Sequence, residues 1–172
     1  MGIHLIIDGY NLIRQSASLS KQERVSLEEG RHALITRLVA YKRVKAWPVT
    51  VVFDGAGGYH VSTQTENHAG IRVVYSPVGK TADQVIANMA DRYREKALVV
   101  TSDRELAGRV ERTGATVLDS VEFEDRLEMA LLMESGEDPG EDEPGRLSTK
   151  KKGPSKRPPR SQRQKARKLK KI

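Results

Sequence analysis

Five short apolar runs break off at a carboxylate or a hydroxyl: IHLIID (3–8), VTVVFD (49–54), IRVVYS (71–76), ALVVTS (97–102) and ATVLD (115–119). Each has the length of a strand and the near-continuous apolarity of a strand buried on both faces. Most are separated by stretches with apolar residues at helical spacing. Strands alternating with helices predict an α/β fold around a central parallel sheet. In such a sheet the carboxyl ends of the strands share one edge, and ligands bind in the crevice there.

That edge collects acids. Asp8 and Asp54 end two of the runs, Asp103 directly follows a third, and Asp83 in KTADQVI opens the helix after IRVVYS. Clustered carboxylates repel one another: two unit charges ~4 Å apart cost roughly 4 kcal/mol at an effective dielectric near 20. A fold keeps such a cluster when a proton or a cation sits among the oxygens. All-oxygen sites suit Mg²⁺ or Mn²⁺. The expectation is a metal-dependent phosphoryl-transfer site.

Between the strands, Val25, Leu27, Leu34, Ile35, Leu38, Val39 and Tyr41 recur at helical spacing and predict one helix over about 21–46. Ser20 and Glu23 fit a capping box at its start, and Pro48 follows its end. Residues 9–20 read as a turn and loop. Residues 55–69 carry no sustained pattern beyond YHVST and read as a long loop that is either functional or mobile. Further helices are predicted over 82–95, 103–113 and 123–133, with Gly114 as a C-terminal stop.

The net charge of +7 conceals a division. Residues 146–172 hold thirteen Lys or Arg and no acid, whereas six acids fall between Glu134 and Glu143. The segment 1–133 is neutral, with 17 charges of each sign. The chain thus reads as a domain over 1–134, an acidic linker over 135–145 and a basic tail over 146–172. Neither appendage has the apolar content to offset the entropy of ordering, so both are expected to be disordered in isolation. QRQKARKLKK is a stretch that becomes helical once its charges are neutralised. Lys150, Lys151, Lys152, Arg157 and Arg160 represent a polyanion-binding tail whose attraction to phosphates is steeply salt-dependent; a solubilising tail is the plainer reading. The tail lacks aromatic residues and offers little base stacking. With almost no apolar anchors, it suits RNA better than a membrane. No cysteine, signal peptide or membrane-length apolar run is present, so a soluble cytoplasmic protein is expected.

Each motif also has a plainer reading. In DGYN (8–11), Asp8 can cap a strand-to-helix turn; alternatively it is a ligand, with Asn11 hydrogen-bonding the carboxylate or the loop. Asp54-Gly55 is also a common turn. Asp83 can simply complement a helix dipole behind a Thr81 cap, and Lys80 beside it can hold a phosphate or stay solvated. In TSDRE (101–105), Asp103 can be an N-cap and a ligand at once. Thr101 or Ser102 can add an oxygen or orient a carboxylate, and Arg104 can contact a phosphate or a surface acid. Asp119 is a secondary candidate. His60 and His68, near Tyr59, suit base stacking or proton transfer less well than solvation. Dinucleotide, P-loop and serine-hydrolase signatures are absent.

Taken together, DGYN, VVFDG, KTADQVI and TSDRE resemble the YacP-like branch of the NYN domain proteins, within the PIN-like ribonuclease superfamily. The likeness covers about residues 3–133. It implies a PIN-like three-layer α/β/α sandwich with a central parallel sheet. It also implies a metal-dependent endoribonuclease, with ribosome-associated mRNA cleavage known within the branch. Motif by motif, Asp8, Asp83 and Asp103 match the acidic metal-binding positions, Asn11 the asparagine beside the first aspartate, and Asp54 the second strand-end acid.

The expected mechanism has Asp8, Asp83 and Asp103 holding one or two Mg²⁺ or Mn²⁺ ions, with Asp54 or Asp119 behind them. In-line attack on RNA leaves a 5′-phosphate and a 3′-hydroxyl, with no need of a histidine base. Loop 55–69, Lys80 and Arg104 position the strand, and the tail tethers the enzyme to mRNA or rRNA. The competing expectation is a non-catalytic RNA- or ribosome-binding module of the same fold. A phosphatase is disfavoured because the first strand lacks a paired DxD.

Overall fold

The computed structural model describes residues 2–55, 61–136, 160–170 and 172. In chain order the elements are β1 (His4–Asp8), α1 (Gly9–Gln15), α2 (Ala17–Val25), α3 (Leu27–Val44), β2 (Val49–Phe53), β3 (Gln64–His68), β4 (Ile71–Tyr75), α4 (Ala82–Tyr93), β5 (Ala97–Val100), α5 (Arg104–Arg112), β6 (Thr116–Leu118), α6 (Ser120–Ser135) and α7 (Arg160–Leu169).

The strands form one sheet in the order β3-β4-β2-β1-β5-β6. All pairings are parallel except β3 with β4. From β1 the chain builds outward through β2 and β4, then returns to lay β5 and β6 on the other side. The switch point is therefore beside β1, and Asp8 ends that strand.

Alternation along the strands divides the core between two faces. Leu5, Ile7, Val51, Phe53, Leu98 and Val100 face α1, α3 and α6, where Leu12, Leu34, Leu38, Tyr41, Phe123 and Leu127 complete one cluster. Ile6, Val52, Val74 and Val99 face the other way, against Ile86 and Ala90 of α4 and Leu106 and Val110 of α5. The three-layer expectation holds, with the sheet as its middle layer.

Four local readings need correction. The single helix over 21–46 is broken, and residues 9–20 are mostly helical rather than looped. Ser16 and Ser26 are the reason: each leaves the helical backbone and turns its hydroxyl to the N–H of the next helix, Ser16 to Leu19 and Ser26 to Glu29. Ser20 lies inside α2 and does not cap a helix. Val25 and Leu27, assigned above to the apolar stripe, flank the break and are exposed.

Loop 55–69 contains a strand. β3 is polar and largely exposed, and it sits at the sheet edge, where backbone pairing with β4 needs no apolar face. Ala69 and Gly70 join the two strands, both at positive φ, as the twist of a two-residue hairpin requires. The sheet is thus parallel but for this edge.

The tail departs most from expectation. Residues 160–169 are helical and seated on the domain. Ile172 is buried, and Leu169 packs against the same cluster as Leu38 and Phe123. Arg126 of α6 donates to the Leu169 carbonyl, and Lys168 Nζ donates to the Ala97 carbonyl and the Thr116 hydroxyl.

Candidate active site

Asp8 is 8 % exposed at the end of β1, the central strand of the switch. Its Oδ2 accepts from the Thr101 hydroxyl at 3.1 Å, and the Asn11 backbone N–H donates to its carboxylate. Burial outweighs these donors and, with the charges of Asp83 and Asp54 nearby, pushes Asp8 up to about 6. The turn that follows is tight. A Cβ on Gly9 would lie 2.3 Å from a ring carbon of Phe53, so glycine lets α1 begin against the sheet.

Asn11 binds the loop through its side chain. Its Oδ1 accepts from the Ser102 N–H at 2.9 Å and from the Ser120 hydroxyl at 2.7 Å. Both of these acceptor contacts fall on the amide oxygen, which leaves the NH₂ group directed away from them. One side chain therefore joins α1 to the starts of α5 and α6.

Asp103 caps α5, its Oδ1 accepting from the Glu105 and Leu106 N–H groups. Thr101 is buried and plays a double part. Its oxygen accepts from the Asp103 N–H while its hydroxyl proton goes to Asp8. Thr101 thus orients a carboxylate, one of the two roles foreseen for it. Ser102 donates to Asp119 and accepts from the Ser120 N–H.

Across the crevice, Thr81 caps α4 in a capping box with Gln84. Asp54 is exposed and its Oδ1 accepts from the Ala82 N–H at 2.6 Å, pinning the start of α4 to the end of β2. Asp83, in the first turn of α4, is pushed up by burial and by the charges of Asp103 and Asp54, with Arg109 pulling down.

The structure thus brings Asp8, Asp54, Asp83 and Asp103 into one electrostatic neighbourhood at the switch point. Asp119 belongs instead to the Ser102 and α6 cap. Lys80 and Arg104 are exposed at the starts of α4 and α5. His68 pairs with Glu66 on the edge strand at 2.8 Å. Tyr59, His60, Lys150, Lys151, Lys152 and Arg157 lie outside the described residues, as does the side chain of Arg160. Sequence reasoning missed Ser120 and Arg109. Ser120 has a retrospective signal, because Asp119-Ser120 repeats in reverse the Ser102-Asp103 pair that opens the preceding helix.

The donor set suits a hard divalent cation: oxygen ligands only, with repulsion that an ion would relieve. Among the described residues, no three acidic or histidine side chains converge on one point as a closed ligand set. Asp54 and Asp103 each give one oxygen to helix N–H groups and keep the other.

A mostly parallel α/β sheet with carboxylates gathered at its switch point defines a domain of PIN-like nuclease architecture. Within that class the chain belongs to the YacP-like NYN domain family, whose profile matches residues 5–171. The match runs past the 3–133 stretch that carries the motifs and takes in most of the basic tail. The chain is 31% identical over 102 residues to the uncharacterized protein YacP of Bacillus subtilis strain 168, covering 58% of this chain and 59% of the relative. It therefore spans about three fifths of that relative's length. It is also similar to crystal structures of Rae1 (YacP) from Bacillus subtilis. One matches at TM-score 0.62 and 29% identity, covering 76% of this chain and 75% of the other. A second, of a point mutant of the same protein, matches at TM-score 0.63 and 25% identity, covering 74% and 76%.

Proposed function

We propose that the chain is a divalent-metal-dependent endoribonuclease that cuts mRNA in association with ribosomes in the cytoplasm. The observation that carries this reading is the charge coupling among Asp8, Asp54, Asp83 and Asp103 on a domain of the NYN family. No helix among the described residues is long and apolar enough to cross a membrane.

Asp8, Asp83 and Asp103 would hold Mg²⁺ or Mn²⁺, with Asp54 contributing its free oxygen. The bound ion supplies a water of lowered pKa and a counter-charge for the phosphoryl oxygens. The remaining work falls to the chain. Thr101 and the Asn11 N–H orient the Asp8 carboxylate, and the Asn11 NH₂ group is available to an oxygen of the substrate. Lys80 and Arg104 stand at the mouth as phosphate contacts, and the basic segment containing Lys150, Lys151, Lys152, Arg157 and Arg160 attracts the polyanion. The products are a 5′-phosphate and a 3′-hydroxyl.

The second reading is a non-catalytic RNA- or ribosome-docking module, favoured by the unclosed ligand set. End-labelled mRNA, free and on translating ribosomes, separates the two. Cuts made with Mg²⁺ or Mn²⁺ by the wild type, and absent in Asp8→Asn and Asp103→Asn, support the nuclease. Intact RNA in every lane, with binding retained, supports the module.

A further inference from the structure

Once α7 is seated, its charged residues occupy set positions along the helix backbone. Lys168, Leu169 and Ile172 face the domain, while Arg163, Arg167 and Lys170 are exposed. The exposed three are spaced four and three residues apart, which places them on one stripe of the helix, opposite the buried face. Ala166 leaves the stripe uncrowded. Among the described residues none of the three forms an ion pair.

The stripe is also far from the acids. Lys168 reaches Ala97 and Thr116, the first residues of β5 and β6. Asp103 lies three residues past Val100, the last residue of β5, so the four-residue strand lies between, about 13 Å at roughly 3.3 Å per residue. The helix sits at the amino edge of the sheet and the acids at its carboxyl edge.

From this placement we infer that α7 is an RNA-binding exosite, in which Arg163, Arg167 and Lys170 grip the phosphate backbone of a segment remote from the scissile bond. The inference rests on the proposed RNA substrate. The charge is complementary to phosphate, and neighbouring stripe positions lie about 5–6 Å apart. With no aromatic residue in 160–172, the site reads backbone rather than sequence. The exosite favours long or structured RNA over short fragments and is not a loose tether.

The test compares the full chain with the triple variant Arg163→Ala, Arg167→Ala and Lys170→Ala. A control, Lys21→Ala with Arg24→Ala, removes exposed charge from α2. Binding of a long RNA and of a hexamer is measured across salt concentrations, and cleavage alongside. The triple variant should lose tenfold or more in affinity for the long RNA at low salt. Its log–log salt slope should become shallower by about 2, each phosphate contact contributing roughly 0.7–0.9. The hexamer and the control should be unaffected. Equal losses in control and triple variant, no loss in either, or stripe-dependent binding to anionic lipid vesicles with none to RNA would overturn the exosite. Cleavage that survives while the stripe proves irrelevant leaves the nuclease reading intact. Stripe-dependent binding without any cleavage leaves the exosite standing and removes the nuclease.

Discussion

Asp8→Asn has a consequence beyond activity, because the carboxyl it replaces is destabilised by its surroundings. Burial and the neighbouring acids lift Asp8 from an ordinary 3.8 to about 6. Between those values the folded chain binds more protons than the unfolded one, so stability falls as pH rises through the interval. Below about pH 4 both states are protonated and the penalty vanishes; above about pH 6 it is complete. At about 1.4 kcal/mol per pH unit, the full penalty is about 3 kcal/mol. An asparagine stays neutral throughout and avoids it. It also loses something, since Thr101 and the Asn11 N–H both donate to the carboxylate and the amide has one acceptor oxygen; a mismatched hydrogen bond costs roughly 1 kcal/mol. In a chelating buffer the variant should therefore be about 2 kcal/mol more stable than wild type at pH 7.5 and about 1 kcal/mol less stable near pH 4. Urea titrations at both pH values measure this. The two stability curves should cross; a variant weaker by the same amount at both ends would refute the reasoning.

Because a carboxylate must be ionised to bind a cation, Mn²⁺ should raise the melting temperature at pH 8 more than at pH 5, and equal shifts would argue against Asp8 as a ligand. Gly9→Ala forces a Cβ toward the Phe53 ring and should cost about 1–3 kcal/mol, read by urea unfolding. Ile172→Ala removes a side chain that is 5% exposed and should cost about 2–5 kcal/mol, the range for a large-to-small change at a buried position. Trypsin should then cut within 160–170 sooner than in the wild type.

The sheet and its acids were legible because both depend on local strings: a buried parallel strand must be apolar, and its end must stop. The break at Ser26 was not, because the apolar period runs across it. Residues 9–20, on either side of Ser16, read as loop because the two helices there are too short to show a period, while the hydroxyl cap acts within three residues. β3 escaped notice because an edge strand is held by backbone pairing, which leaves no mark on its side chains. The helical tendency of QRQKARKLKK was legible, but the seating of α7 on the domain was not, because composition weighs thirteen charges and overlooks two apolar residues that find partners only in the tertiary fold. The electrostatic coupling of the acids was anticipated, whereas the Asn11 bonds to Ser102 and Ser120 involve residues more than 90 positions away.

Those bonds divide the site into two bodies. Asp8, Asn11, Thr101, Ser102, Asp103 and Ser120 form one hydrogen-bonded block; Asp54 and the start of α4, carrying Asp83, form another. Among the described residues no side-chain hydrogen bond joins them. The crevice therefore has two walls, each fixed by its own hydrogen bonds and both standing on the same sheet. A cation held between the walls would draw ligands from both, and the Asp8–Asp83 separation is the gauge on which its presence would register.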